Sequence, residues 1–218
     1  MTWSSPVPLN TVHRLDTFDC GKPALNEWLT RHARQAQGSG SAKTFVAADN
    51  DRVGGYFSLT VGQIDTIEAP ERIAKGMGQY PVPVVILARL AVSLQSQGRG
   101  IGTGMLQDAI RRTLLIAEQA GIRAMLTHPI DEDAARFYKR FGFEASPLRQ
   151  DQLLLLLKDA RRWINLPSAR PKTPFLHTRN RFPCVRSNVG PEPSAGQVYP
   201  QGASGGSRCK ANRTACRR

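Results

Sequence analysis

The 218-residue sequence contains no run of about 18 apolar residues, so no segment is expected to cross a membrane as a helix. Its opening, Met1-Thr2-Trp3-Ser4-Ser5-Pro6, has neither the basic nor the apolar stretch of a secretory signal, which makes the cytoplasm the expected compartment. Cysteine is scarce: Cys20 stands alone in the first half, Cys184, Cys209 and Cys216 lie near the end, and no CxxC or Cys/His spacing of a zinc site occurs. A disulfide framework is therefore not expected, and no residue is assigned to a metal. No Gly-Lys-Ser or Gly-Lys-Thr is present, which excludes a P-loop.

Acidic residues are also short, and unevenly so. The formal net charge is +13. Residues 1–164 hold 20 Lys/Arg against 16 Asp/Glu, a net of +4, whereas residues 165–218 hold 10 Lys/Arg and a single acid, Glu192, a net of +9. The composition changes at the same point, to 7 Pro, 5 Gly and 5 Ser in the last 54 residues with few large aliphatic ones. Such a segment buries too little apolar surface to offset its ordering entropy. Residues 1–164 are read as the folded domain and 165–218 as a disordered basic tail, either one that clings to phosphates or one without function.

Within the first 164 residues helix and strand signals alternate. Pro23 at an N1-like position opens a helix whose Leu25, Trp28, Leu29 and His32 form one stripe, and Gly38–Ser41 ends it. Thr44–Ala48 and Arg52–Val61 read as a hairpin around Asp49-Asn50-Asp51, and Pro70–Met77 as a short helix. Val84–Val92, nearly all apolar, reads as a central strand covered on both faces. Gly100–Ala120 reads as a long helix closed by Gly121, Ala124–Thr127 as a strand, and Asp131–Arg140 as a helix with three acids in its first turn. Gln152–Lys158 reads as a last strand, although its five leucines fit a helix equally. The order is mixed α/β: early antiparallel strands, then strand–helix–strand–helix.

Chemistry concentrates where the central strand meets the long helix. Gln97-Gly98-Arg99-Gly100-Ile101-Gly102-Thr103 brings glycines, an arginine and a helix N-terminus together, the components of a pyrophosphate cradle. The dinucleotide pattern G-x-G-x-x-G fails, because Thr103 or Met105 stands where the third glycine belongs. A loop that merely turns tightly is the other reading of these residues alone. Tyr138, flanked by Phe137 and Phe141, reads either as core or as a weak acid.

Gln97-Gly98-Arg99-Gly100-Ile101-Gly102 resembles the Gln/Arg-x-x-Gly-x-Gly/Ala signature of the GNAT acetyltransferase superfamily, and the segment Asp131–Phe143, with Phe137-Tyr138 and Gly142-Phe143, resembles its A-x-x-F-Y-x-x-x-G-F helix. The opening His13–Leu29, with Thr44-Phe45-Val46, Gly55–Leu59 and Pro83–Gly102, is similar to one branch, the tRNA-acetylating toxins encoded beside ribbon-helix-helix antitoxins. The resemblance spans roughly Val12 to Lys158 and leaves the tail aside. It implies a mixed, mostly antiparallel central sheet flanked by helices. It implies acetyl-CoA as donor, bound by Leu90, Ala91, Val92, Gln97, Gly98, Arg99, Gly100, Ile101, Gly102, Thr103 and Phe137. Tyr138 becomes the general acid that protonates the departing thiolate. The acceptor becomes the α-amine of aminoacyl-tRNA, whose acetylation would block peptide-bond formation, and the partners a ribbon-helix-helix antitoxin and a possible second copy of the chain.

Arg89, Lys43, Arg72 and Lys75 are the candidates for holding the acceptor. Arg89 stands out because an unpaired charge inside an apolar strand is costly, so it should face a carboxylate, a partner subunit or the RNA. His128, Glu68, Glu71 and Cys20 are weaker candidates. An acetyltransferase of a protein or small-molecule amine, and a non-catalytic RNA-binding module on a degenerate fold, remain as alternatives. The change in composition after residue 164 makes a direct prediction. A chain ending at Trp163 should retain its thermal stability and its affinity for acetyl-CoA, measured by thermal denaturation and calorimetry, and lose only salt-dependent binding to RNA.

Overall fold

The computed structural model describes residues 3–164; the expected basic tail at 165–218 lies outside the described residues. Seven strands form one sheet in the order β1-β2-β3-β4-β5-β7-β6. They are β1 (Val7–Pro8), β2 (Lys43–Asp49), β3 (Arg52–Ile64), β4 (Val82–Val92), β5 (Ala124–Thr127), β6 (Glu144–Ala145) and β7 (Leu153–Leu156). Every neighbouring pair is antiparallel except β4 and β5, which run parallel with Val84 opposite Ala124 and Leu87 opposite Thr127. The helices are α1 (Pro23–Glu27), α2 (Ala33–Ser39), α3 (Glu71–Ala74), α4 (Ile101–Ala117), α5 (Glu132–Lys139) and α6 (Leu157–Ile164).

Period-two alternation sorts the strand residues onto two covered faces. On one face Phe57, Leu59, Val85, Leu87, Met125, Leu153 and Leu155 pack against Met105, Leu106, Ala109 and Ile110 of α4, Tyr138 of α5, and Leu157 and Ala160 of α6. On the other, Val46, Val53, Tyr56 and Ala91 meet Leu29 and Ala33 from the helical stretch Pro23–Ser39. On that same second face Val82, Val84, Ala124, Leu126, Leu154 and Leu156 meet Ile73 of α3. α4 lies so close to β3 that a Cβ on Gly55 would stand 2.6 Å from the Met105 sulfur and 3.2 Å from the Ala91 carbonyl oxygen.

Three sequence expectations change. The helix opened by Pro23 is not one α-helix, since α1 and α2 are joined by a π-helical turn, Trp28–His32, in which the Ala33 amide donates to the Trp28 carbonyl. The leucine run divides: Leu153–Leu156 complete the sheet and Leu157 starts α6, because the strand ends with β5's last rung, Ala124 opposite Leu156. The two-residue strands β1 and β6 were not anticipated; both are edge pairings too short to carry a periodic signal.

Candidate active site at the parting of two strands

β4 is longer than β5, and their pairing stops at Leu87 and Thr127. Beyond that rung β4 continues to Val92 with β3 as its one strand partner, Arg89, Leu90, Ala91 and Val92 standing opposite Ser58, Phe57, Tyr56 and Gly55. The backbone edge of β4 that faces away from β3 therefore has no strand beside it from Ala88 onward, and at its end the Val92 carbonyl is taken by the Gln97 side chain. Pro129, two residues after β5, cannot donate to a ladder and helps stop the strand there. The last rung is pinned by the Thr127 hydroxyl, which donates to the Leu87 carbonyl at 3.0 Å.

The glycine loop sits at the far end of this open edge. Gly98 and Gly100 adopt φ of +73° and +77°, conformations that glycine takes without a Cβ penalty, and Gly100 is the N-cap of α4. Among the described residues no backbone carbonyl accepts the amides of Gly98 to Thr103. The loop thus brings amides without a backbone acceptor to the positive end of a 17-residue helix. A Cβ on Gly98 or Gly100 would meet nothing within 4 Å, so the space in front of the loop is clear. Arg99 is exposed and free of carboxylates among the described residues, whereas Gln97 folds back, its amide donating to the Val92 carbonyl at 2.9 Å and toward the Cys20 carbonyl at 3.5 Å. Gln97 braces the loop through these bonds. Ile101, Gly102 and Thr103 form the first turn of α4, and a Cβ on Gly102 would stand 3.7 Å from Val92 and 3.9 Å from the ring of Phe137. The structure therefore brings Val92, Gly102 and Phe137 together.

Tyr138 reaches the parting from α5. Asp131 caps that helix by accepting the Ala134 amide at 2.8 Å. The ring packs against Phe137 and Phe143 at centroid distances of 5.3 and 5.4 Å, and the residue is only 5% exposed. Burial pushes the phenol up to about 12, with the neighbouring Thr127 hydroxyl as the smaller, opposing influence. Tyr138 is thus at once a core residue and a protonated donor beside the last β4–β5 rung. The two lips of the cleft are tied by Asp19–Lys22. The Asp19 carbonyl accepts the Leu94 amide at 2.8 Å, and the Lys22 ammonium lies 2.9 Å from Asp131, holding that carboxyl below its ordinary range.

The acceptor candidates separate. Arg72 is committed to Glu144 and Asp159 at 3.0 and 2.6 Å, so its guanidinium is not free for a phosphate. Lys75 ends α3, where its carbonyl accepts from Arg123, away from the glycine loop. Lys43 begins β2 at the rim of a separate apolar cavity of about 340 Å³ between Phe45, Leu59 and the second half of α4. Only Arg89 lies on β4 beside the parting. Of the three groups it was expected to face, a carboxylate is absent among the described residues; its guanidinium lies over the Trp28 ring, 4.5 Å from the centroid. Trp28 was read in the sequence as one position of an apolar stripe, and nothing in its spacing marked it for this contact. His128 is exposed just past β5, and Cys20 is buried with its thiol on the Asn26 side-chain oxygen at 3.0 Å and pushed up by burial. Among the described residues no group of three or more His, Cys, Asp or Glu could hold a metal, and no helix is long and apolar enough to cross a membrane.

Comparison with known proteins agrees with this geometry. Residues 40–145 match the model of the acetyltransferase (GNAT) domain. A tRNA-acetylating toxin of Mycobacterium tuberculosis is 38% identical over 159 residues, covering 73% of this chain and 95% of that protein. The fold superposes on AtaT complexed with acetyl-methionyl-tRNAfMet with a TM-score of 0.67 at 24% identity, covering 72% of this chain and 96% of AtaT. It also superposes on AtaTR bound with AcCoA with a TM-score of 0.56 at 25% identity, covering 69% and 89%.

The glycine loop makes a clean test. Gly102 has no positive φ and a Cβ there meets Val92 and Phe137 only at ordinary van der Waals distance, and an acid in a first helical turn favours the helix by about 0.3–1 kcal/mol. Gly102→Asp should therefore leave the melting temperature unchanged or raised while abolishing acetyl-CoA binding in calorimetry, because the new charge stands where the pyrophosphate would lie. Gly100→Asp should lose both, since a side chain at φ +77° is strained.

Proposed function

The chain belongs to the GNAT acetyltransferases, in the family of the mycobacterial tRNA-acetylating toxin, and from that premise we propose that it moves acetyl from acetyl-CoA to the α-amine of aminoacyl-tRNA and so blocks translation. The observation that carries the reading is the convergence, at the parting of β4 and β5, of free loop amides, a buried protonated tyrosine and an unpaired arginine.

The residues present fit acetyl-CoA. Acetyl-CoA supplies an acetyl thioester. The amides of Gly98–Thr103 and the charge of Arg99 suit its pyrophosphate, and the β4 edge at Leu90 offers backbone groups to its amide-bearing arm, with Phe137 as one wall. Tyr138 faces the reacting end. An ordinary thiol titrates near 8.5, well below the phenol's value of about 12, so Tyr138 acts by hydrogen-bonding to sulfur as charge develops there. The acceptor nitrogen loses one proton and the leaving sulfur gains one, so the phenol ends the turnover protonated, as it began. The amine needs no dedicated base, because an α-amine with a pKa near 8 is partly neutral at pH 7.

The proposed catalytic domain is residues 1–164, working in the cytoplasm. A ribbon-helix-helix antitoxin and a second copy of the chain are its proposed partners. The reading is supported by relatives: the mycobacterial protein is a tRNA-acetylating toxin, and AtaT has been seen with acetyl-methionyl-tRNAfMet.

Purified protein incubated with labelled acetyl-CoA and a set of charged tRNAs should release an N-acetylated amino acid identifiable by mass spectrometry. Label appearing on free amines or protein lysines at least as readily as on charged tRNA would replace the acceptor while keeping the transferase. Tyr138→Phe should lower kcat by about 10²–10⁴-fold with acetyl-CoA affinity kept, since the ring still packs. The wild-type rate should rise with pH through a midpoint near pH 8, as the acceptor amine deprotonates, and should show no falling limb up to pH 9. A phenol at about 12 stays protonated throughout that range, so a fall below pH 9 would remove Tyr138 from the role.

A further inference from the structure

Arg89 is half-buried in β4, and its guanidinium has no hydrogen-bond or ion-pair partner among the described residues. It stands in register with Ser58 of β3, which in turn stands opposite Thr44 of β2, and the two hydroxyls bond each other at 2.9 Å in full burial. This polar row crosses the sheet face covered by α1, α2 and α3. Arg89 is therefore on the opposite side of the sheet from α4, in the interval between the cluster around Leu29 and the cluster around Ile73. The parting of the strands opens beside it, so a group held by Arg89 reaches the open edge of β4 from the face opposite the glycine loop's helix.

What holds Arg89 there is built with unusual care for a surface arginine. Trp28 lies under the guanidinium and is stacked on Tyr56 at 5.9 Å with an interplanar angle of 13°. Tyr56 is fully buried, its hydroxyl donates to the Leu25 carbonyl at 2.8 Å, and Phe18 meets it edge-on at 5.5 Å. Trp28 itself opens the π-helical turn. π turns inside helices are rare and sit mostly at functional sites. Here the extra residue changes the phase of the helix between Trp28 and Ala33, so that Leu29 and Ala33 are fully buried while the indole stays half-exposed against Arg89.

Resting on the acceptor reading above, we propose that Trp28 is a positioning residue for acceptor binding: its indole, fixed by the π turn and by Tyr56, presents the Arg89 guanidinium to a phosphate of the acceptor RNA. An unpaired guanidinium on an aromatic face keeps its edge donors free, and a planar fork of donors matches a phosphate. The half-buried setting makes the contact stronger than one on an open surface.

The test is steady-state kinetics of the full-length protein with charged tRNA and, in parallel, with an amino acid methyl ester, which carries the amine but no phosphate. Arg89→Gln should raise the KM for charged tRNA about 10- to 100-fold, the loss of a charge-assisted hydrogen bond, and should make KM less salt-dependent. Trp28→Leu should raise it roughly 3- to 30-fold, Trp28→Phe should restore most of it, and Trp28→Leu should add little in the Arg89→Gln background. Neither Trp28 variant should change the acetyl-CoA affinity or the kinetics with the ester. If Trp28→Leu is folded by circular dichroism and leaves the tRNA KM unchanged, or adds its full effect to Arg89→Gln, the positioning role is overturned and the acceptor reading stands. If Trp28→Leu does not fold, Trp28→Phe decides: an effect on tRNA KM between wild type and Arg89→Gln supports the role, and equal effects on both substrates overturn it. Wild-type protein that acetylates the ester but no charged tRNA overturns the acceptor reading and this inference together.

Discussion

The site depends on one mismatch: β4 runs five residues past the last rung that β5 can match. In a continuous parallel pair those five residues would spend their backbone donors and acceptors on a neighbour. Here Thr127 closes the ladder with its side chain on the Leu87 carbonyl, and Pro129 cannot extend it. The bulge at Ser58 and Leu59, where β3 and β4 change register, falls beside the same rung. A bulge increases local twist, so β4 is bent as its partner leaves. The two faces of the sheet meet along one line there, with the helix that follows the glycine loop on one side and Arg89 over Trp28 on the other.

Each feature around that line is fixed by something outside it. The glycine loop is braced by Gln97 and held from below by the Asp19–Lys22 segment, which also reaches Asp131 at the start of α5. Helix α5 is thus capped and tied in the same place, and its capping carboxylate places Tyr138 two turns later. Tyr138 is in turn part of the main hydrophobic cluster, so the donor cannot swing without disturbing Phe143 and α6. Burial both positions the phenol and keeps it protonated; the two effects have one cause.

The charge distribution is more selective than the composition. Many cations of the domain are spent locally: Arg31 on Glu27, Arg111 and Arg112 on Asp108, Arg136 on Asp133, and Arg72 on Glu144 and Asp159. Exposed pairs of this kind contribute little stability but do neutralise the surface. Arg99 and Arg89, one on each side of the parting, are among the cations left without carboxylates among the described residues.

Sequence alone determined the elements whose signals are local. The hairpin, the central strand, α4, β5 and α5 were legible because apolar periodicity, glycines and capping acids act within a few residues. The turn at Gln97–Thr103 into a helix N-terminus was legible for the same reason, and Phe137-Tyr138 stood out from its motif. What only the tertiary structure decided depends on contacts between distant segments. Arg72 and Arg89 look alike as isolated cations, but residues 72 and 144 must meet before the first is neutralised, and 28 and 89 before the second is held. The leucine run divided between β7 and α6 because the length of β5, not leucine propensity, set where the last strand could end. The π turn at Trp28 left no mark in the spacing of Leu25, Trp28 and Leu29, since α- and π-helical turns share the same first four positions and differ only in which carbonyl the next amide finds.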